Sequence, residues 1–170
     1  IDGIDANDNS GRSVSNAGDV NGDGFDDVLI GAYRGDAAGN SKSDAGESYV
    51  VFGQSSGFAA SLDLSTLNGT NGFRIDGASG ASSSGRSVSA AGDVNGDGFA
   101  DLFIGADSAD KNSAANGGSF TTTISATGKT TRYFNNGYAY GASYVVFGKS
   151  SFGASLDLST LNGSTGIRVD

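Results

Sequence analysis

The chain of 170 residues contains no cysteine, histidine, methionine, tryptophan or proline. Without cysteine it can form no disulfide bond and offers no thiol for chemistry. Without cysteine or histidine, the common pairings of a nucleophile with a base and the usual catalytic triads are excluded. These absences argue against an enzyme, and they mean that any staple holding the fold is something other than a disulfide.

Positive charge is also scarce. Ten Lys and Arg residues stand against 19 Asp and Glu residues, which gives a net charge of −9 and a pI near 4.2. An acidic surface argues against nucleic-acid binding and against binding to anionic membranes. No apolar run approaches the length that spans a bilayer, so no membrane insertion is expected. Glycine, in contrast, is abundant at 29 residues, which suits a chain with many turns.

The chain repeats itself. Residues 18–32 read GDVNGDGFDDVLIGA and residues 92–106 read GDVNGDGFADLFIGA. Three flanking segments recur in the same order, namely SGRSVS from Ser10 and Ser84, SYVVFG from Ser48 and Ser143, and SLDLSTLNG from Ser61 and Ser155. We therefore divide the chain into two units, residues 1–74 and 75–170. Repeats of this length are typical of solenoids, propellers or arrays.

Each unit holds about four short runs rich in Val, Ile, Phe and Tyr, bounded by Gly, Asn, Asp and Ser. In the first unit they are residues 12–15, 27–33, 48–52 and 73–76. Such runs predict strands separated by turns, and no stretch has a sustained helical period. The pattern predicts an all-β protein in which each unit forms one four-stranded antiparallel blade of a β-propeller.

The duplicated segment carries oxygen-bearing side chains at alternate positions, then a glycine, then a further Asp. This is the spacing of a calcium loop, because a hard cation takes six to eight oxygens that a tight turn can bring together. We predict two Ca²⁺ sites, and with no disulfide calcium is the expected staple. The predicted ligands are Asp19, Asn21, Asp23, the carbonyl of Phe25, and Asp27 in the first loop, and Asp93, Asn95, Asp97, the carbonyl of Phe99, and Asp101 in the second.

Two other interpretations of these loops are weaker. An EF-hand or dockerin-like loop would place an acid at its twelfth position, where this chain has Ile30 and Ile104 inside predicted strands. A bare Asn-Gly-Asp-Gly hairpin turn does not need three carboxylates that repel one another. Calcium binding explains the pattern better.

Further short motifs recur at fixed places: Phe52-Gly53 and Phe147-Gly148, and Gly31-Ala32 and Gly105-Ala106. With them the chain resembles tandem FG-GAP repeats, the units of the integrin α-subunit β-propeller, in a bacterial-style version. The proline of the family motif is missing, since Tyr33 and Asp107 follow the two Gly-Ala pairs. The resemblance implies calcium in the hairpin loop of each blade. It also implies an extracellular or cell-surface role in adhesion or structure more often than in catalysis.

The second unit carries an insertion at about residues 110–141. Residues 121–125 and 129–133 resemble two strands, which predicts an extra β-hairpin that could clasp a neighbouring subunit. Its aromatic residues suit contact with a sugar or a protein, and the alternative is a hairpin that only packs. These aromatics are Phe120, Tyr133, Phe134, Tyr138 and Tyr140.

Two sheets bury only the face between them, whereas propellers have four to eight blades. We therefore expect a non-catalytic, calcium-binding extracellular module that assembles through blade–blade contacts into a larger propeller or filament. Its partners would be other copies or neighbouring repeats, with a protein or glycan as a further ligand. The alternative function is an accessory carbohydrate-binding or hydrolase-associated propeller domain of a secreted enzyme.

The carboxylates left over from the loops form no recognisable catalytic constellation, which favours the first function. One of them, Asp36, closes the tripeptide Arg34-Gly35-Asp36 that integrins recognise. In a chain rich in Gly and Asp, chance is the simpler explanation of this tripeptide.

Overall fold

The computed structural model describes residues 1–109, 120–124, 129–133 and 141–170. Within them the chain forms β-strands, one four-residue helix α1 (Ala37–Asn40) and two 3-10 turns, Leu64–Thr66 and Leu158–Thr160. The strands are β1 (Ser13–Gly18), β2 (Asp27–Ala32), β3 (Glu47–Val51), β4 (Gly72–Asp76), β5 (Ser84–Gly92), β6 (Asp101–Ala106), β7 (Phe120–Ile124), β8 (Lys129–Tyr133), β9 (Ala142–Val146), β10 (Ser155–Asp157) and β11 (Gly166–Val169). The predicted all-β class with antiparallel sheets is confirmed. Among these residues, no helix has both the length and the apolar character needed to cross a membrane.

Two main sheets follow the two repeats. In sheet 1, β1, β2, β3 and β4 pair antiparallel in chain order. In sheet 2 the order is β11-β9-β6-β5, again antiparallel, so the strands of the second repeat are arranged like those of the first. Sheet 1 also has a fifth strand that the sequence did not predict. This is β10 of the second repeat, which pairs parallel with β4.

The apolar runs form strands because both of their faces are buried. Leu29 and Val50 lie fully buried in the larger core, which fills the space between the two sheets. Ile30, Tyr49 and Val51 point to the opposite face of sheet 1 and form a smaller core with the leucines of the 3-10 turn. A strand buried on both faces is a continuous apolar run rather than an alternating one.

The segment that leads into β10 ties the second repeat to the first. It carries Phe152, whose ring stacks on Phe73 of β4 with centroids 4.1 Å apart and lies 6.0 Å from the ring of Phe52. At the other end of β10, Lys42 Nζ lies 2.7 Å from Asp157 Oδ2. The fifth strand is therefore held by ladder hydrogen bonds, ring stacking and an ion pair with the first repeat.

Strands β7 and β8 of the insertion pair antiparallel as a separate two-stranded sheet, with Phe120 opposite Tyr133. The other predicted contact residues, Phe134, Tyr138 and Tyr140, lie outside the described residues, as do the segments that join this sheet to the rest of the chain. The protruding hairpin and its role therefore stay predictions.

We expect Phe152→Ala to lower the free energy of unfolding by about 2–4 kcal/mol, because it empties the stack on Phe73. Phe58 holds the same position in the first repeat but is 56% exposed, so Phe58→Ala should change stability by no more than about 0.5 kcal/mol. Urea unfolding of the dilute protein measures both variants. Equal losses would contradict the structural role assigned to Phe152.

Candidate metal centre

The loop between β1 and β2 folds around the side chain of Asp19. Asp19 Oδ1 accepts hydrogen bonds from the backbone N–H of Gly22 (2.7 Å) and Asp23 (3.0 Å), and Oδ2 accepts one from Gly24 (2.8 Å). Gly22 and Gly24 have φ of +76° and +92°, in the left-handed region that favours glycine. The alternation of polar residues with glycine therefore builds a closed turn whose amide groups are held by one carboxylate.

The next two predicted ligands lie in the same turn. Asn21 Oδ1 accepts from the N–H of Asp23 at 2.9 Å, and Asn21 Nδ2 donates to Asp23 Oδ2 at 2.9 Å. Asp23 Oδ1 also accepts from the N–H of Phe25 at 2.9 Å. The structure thus brings Asp19, Asn21 and Asp23 together, whereas the predicted role of the Phe25 carbonyl stays a prediction.

The second loop repeats this hydrogen bonding in detail. Asp93 accepts from the N–H groups of Gly96 (2.7 Å), Asp97 (3.1 Å) and Gly98 (2.9 Å). Asn95 and Asp97 exchange the same pair of hydrogen bonds, and Asp97 accepts from the N–H of Phe99 at 3.0 Å. The two loops are therefore the same local structure built twice.

Asp27, the fourth predicted side-chain ligand, is almost fully buried at the start of β2. Its Oδ2 accepts from the N–H of Val20 and its Oδ1 from the N–H of Gly53, both at 2.9 Å. One carboxylate therefore joins the acidic loop, β2 and the turn after β3. The sequence predicted Asp27 as a metal ligand and missed this second role.

Asp101 occupies the same place in the second repeat. It accepts from the N–H of Val94 at 2.8 Å and from the N–H of Gly148 at 2.9 Å. The recurrence of a Phe-Gly pair at a fixed place after β3 and β9 was the available signal for this contact. These glycines also leave no room for a side chain, since a Cβ on Gly53 would lie 2.5 Å from the carbonyl oxygen of Asp26 and one on Gly148 would clash with the carbonyl oxygen of Ala100.

The first loop concentrates negative charge. Burial raises the pKa of the Asp27 carboxyl to about 6, the amide groups of Gly53 and Val20 oppose this, and the charges of Asp23 and Asp19 raise it further. None of the ion pairs among the described residues involves a carboxylate of either loop. A cation in the loop would relieve this repulsion.

The donor set fits calcium in its chemistry, since every candidate ligand is an oxygen and each loop offers three candidate carboxylate ligands within nine residues. The positions of the side chains do not yet form a coordination shell. Over the part of the chain that the structure covers, no group of three or more acidic side chains is arranged to hold a metal ion. Both calcium sites therefore stay predictions.

A buried charged cluster in sheet 1 was not foreseen. Tyr49 donates its hydroxyl hydrogen to Glu47 Oε2, and Arg74 Nε lies 2.6 Å from Asp76 Oδ1 and 3.6 Å from Glu47 Oε1. Burial raises the pKa of the Glu47 carboxyl, against the lowering effects of Tyr49 and Arg74. Of these contacts, the one between Arg74 and Glu47 links β4 to β3, and the other two each lie within one strand.

The tripeptide Arg34-Gly35-Asp36 lies in a closed turn after β2. Gly35 is buried, with its amide donating to the carbonyl of Ala32, and Asp36 Oδ1 accepts from the N–H of Asp44 at 2.8 Å. An adhesive tripeptide needs its arginine and aspartate presented together to a partner. Here the aspartate is committed to the fold, which agrees with a chance occurrence.

We predict that Asp27→Ala lowers the free energy of unfolding by about 2–4 kcal/mol even in the presence of chelator, because one buried and one partly buried amide group lose their acceptor. Asp101→Ala should behave alike. Asp26→Ala is the neighbouring control, since Asp26 is exposed and its side chain accepts an exposed hydrogen bond from Asn16, and it should change stability by less than about 0.5 kcal/mol. Denaturant unfolding checks all three variants. If Asp27→Ala lowers stability only when metal is present, the structural role assigned to Asp27 is contradicted.

Comparison with models of known protein families gives a match in each repeat. A sequence model of the FG-GAP repeat matches residues 10–51 and again residues 84–122, so one match covers the acidic loop of each repeat. A search of curated proteins found no relative of the chain. FG-GAP repeats typically occur in extracellular proteins, and the antiparallel all-β architecture fits a β-propeller-like fold. The chain is an FG-GAP repeat protein.

Proposed function

We propose that this chain is a non-catalytic, calcium-binding structural or adhesive module that works outside the cell and assembles through blade–blade contacts. The observation that carries the proposal is the duplicated acidic loop, which has the same internal hydrogen bonds in both repeats and no ion-pair partner among the described residues. Sheets 1 and 2 would each be one blade of a larger propeller or filament.

Calcium would be held by the side chains of Asp19, Asn21 and Asp23, with Phe25 and Asp27 completing the first site. In the second site Asp93, Asn95, Asp97, Phe99 and Asp101 would take the same roles. The ion would supply positive charge and no chemistry beyond it. Because Asp19 and Asp23 already order the loop, the chain would lose little further entropy on binding.

The proposal of a binding module rather than an enzyme is supported by the side chains available. The chain has no histidine or cysteine, and the buried carboxylates of Asp27, Glu47 and Asp76 are each engaged in hydrogen bonds or ion pairs within the fold. An accessory glycan-binding domain is the second candidate, and only the aromatic residues of the insertion favour it.

Calcium should raise the midpoint of thermal unfolding, and chelator should reverse the rise. A site at 100 times its dissociation constant adds about 2.7 kcal/mol to the free energy of unfolding. The double variant Asp23→Ala/Asp97→Ala should lose this response. Asp5→Ala removes an exposed carboxylate outside the loops and should keep it.

Differential scanning calorimetry with calcium, with magnesium and with chelator provides the measurement. A midpoint of the unaltered protein that does not depend on calcium would refute the proposed metal sites. A calcium response that persists in the double variant would place the metal sites outside these two loops.

A further inference from the structure

Over the part of the chain that the structure describes, sheet 2 leaves one face uncovered. This face is apolar at the positions where the corresponding face of sheet 1 is apolar. We call this the free face, and it consists of Val94, Phe103, Ile167 and Val169. Their side chains are 56%, 38%, 43% and 45% exposed. Their counterparts by sequence repeat are Val20, Leu29, Phe73 and Ile75, each 0% exposed because sheet 2 packs against them. The same chain therefore shows what covers such a face, namely another sheet of the same kind.

Sheet 1 exposes the complementary surface, which we call the front face and which consists of Val14, Phe25, Val28 and Phe58. Val28 is 39% exposed, whereas its counterpart Leu102 is fully buried against sheet 1. Phe58 is 56% exposed, whereas its counterpart Phe152 stacks on Phe73. In the second repeat, the residues that correspond to the front face pack against sheet 1. In the first repeat, the front face itself stays exposed.

A cleft beside the free face shows the same correspondence between the two repeats, this time in the backbone. It is lined by Ser87, Gly105, Gly141, Ser143 and Asp170, among others. Gly105 corresponds to Gly31, where the carbonyl of Gly85 approaches so closely that a Cβ would clash with it.

In sheet 1 this place is filled by the start of the second repeat. Ser13 Oγ donates to the Gly85 carbonyl at 2.8 Å, and Gly85 has φ of +81°. Its counterpart Gly11 already has φ of +84°, with nothing within 4 Å of the position of a Cβ. The turn at Ser10-Gly11 is therefore preformed to enter the cleft of another sheet 2.

We propose that the free face of one chain binds the front face of a second copy, head to tail, with the second copy's Ser10-Gly11 turn in the cleft. In this arrangement Phe58 of one copy packs on Ile167 of the other, as Phe152 packs on Phe73 within the chain. The inference rests on the proposed assembly and narrows it to one pair of surfaces. Because the two surfaces differ, the contact is heterologous and propagates into a ring or a filament.

One contact opposes this association. Asp2 donates its N–H to the carbonyl of Leu62 at 2.8 Å and accepts from the N–H of Leu64 at 3.1 Å, so it pairs with the edge at Asp63. The matching edge at Asp157 pairs with Asp76 of β4. An incoming β11 from a second copy must displace Ile1-Asp2 from this edge, and a chain shortened to begin at Gly3 should therefore associate more strongly.

The absence of cysteine from the chain makes thiol cross-linking a direct test. Phe58→Cys and Ile167→Cys are prepared as separate proteins, mixed, and treated with a short bis-maleimide. The proposal expects the mixture to form a cross-linked heterodimer well above the level at which either protein alone forms a homodimer. A mixture that gives no more product than the single proteins, or a predominance of homodimers, overturns it.

Gly105→Ala provides the blocking control in the Ile167→Cys protein. The three atoms nearest to the added Cβ all belong to Ser87, whose hydroxyl can rotate, but the Cβ occupies the path of the incoming Gly11 carbonyl. The cross-linked fraction should fall roughly tenfold. Phe103→Lys on the free face is the second blocking variant if Gly105→Ala fails to fold, and heterodimer yields unchanged by either variant would also overturn the proposal.

Running each mixture in calcium and in chelator separates this proposal from the metal sites. A heterodimer formed in both conditions supports the interface even when thermal unfolding shows no calcium response. A heterodimer formed only in calcium supports the interface and makes it depend on the loops. No heterodimer in either condition overturns the interface, whatever the calorimetry shows.

Discussion

The fold depends on one buried carboxylate in each repeat. Asp27 and Asp101 each join three parts of one repeat: the acidic loop, the strand that follows it, and the more distant turn with the Phe-Gly pair, whose glycine lies 26 residues from Asp27 and 47 from Asp101. A buried carboxylate with two amide donors is a strong and directional link, and leaving those donors unpaired is costly. The loop can therefore be rich in glycine and acidic residues and still have one conformation.

Glycine allows the two sheets to approach each other. At Gly31 and Gly46 the backbone of the second repeat lies where a side chain would otherwise stand. Where the two backbones approach, hydrogen bonds join them, such as those from the N–H of Ala81 to the carbonyl of Ser43 and from the N–H of Ser84 to the carbonyl of Ala45. Sheet-to-sheet contact in this protein thus combines an apolar core with close backbone pairing at its edge, which makes it specific for one register.

The sequence predicted what depends on local pattern and missed what depends on distant pairing. Alternating oxygen-bearing side chains and glycines predicted both loops, and apolar runs bounded by turn residues predicted the antiparallel strands of both main sheets. The role of Asp27 as an acceptor for Gly53 was missed, because Gly53 lies 26 residues away and only the recurring Phe-Gly pair pointed to it. Nor could β10, a three-residue strand that exists only because it meets β4 of the other repeat.

The acidic loops and the packing of sheets are physically coupled. The carbonyl of Asp19 accepts from the N–H of Ala100 at 2.9 Å, and that of Val20 accepts from the N–H of Lys149 at 3.0 Å. The loop of the first repeat therefore presents its side chains to its own turn and its backbone to the second repeat. Whatever fixes the side chains, a cation included, also fixes the two carbonyls that the next sheet binds. For this reason the proposed metal binding and the proposed assembly would both depend on the same loop.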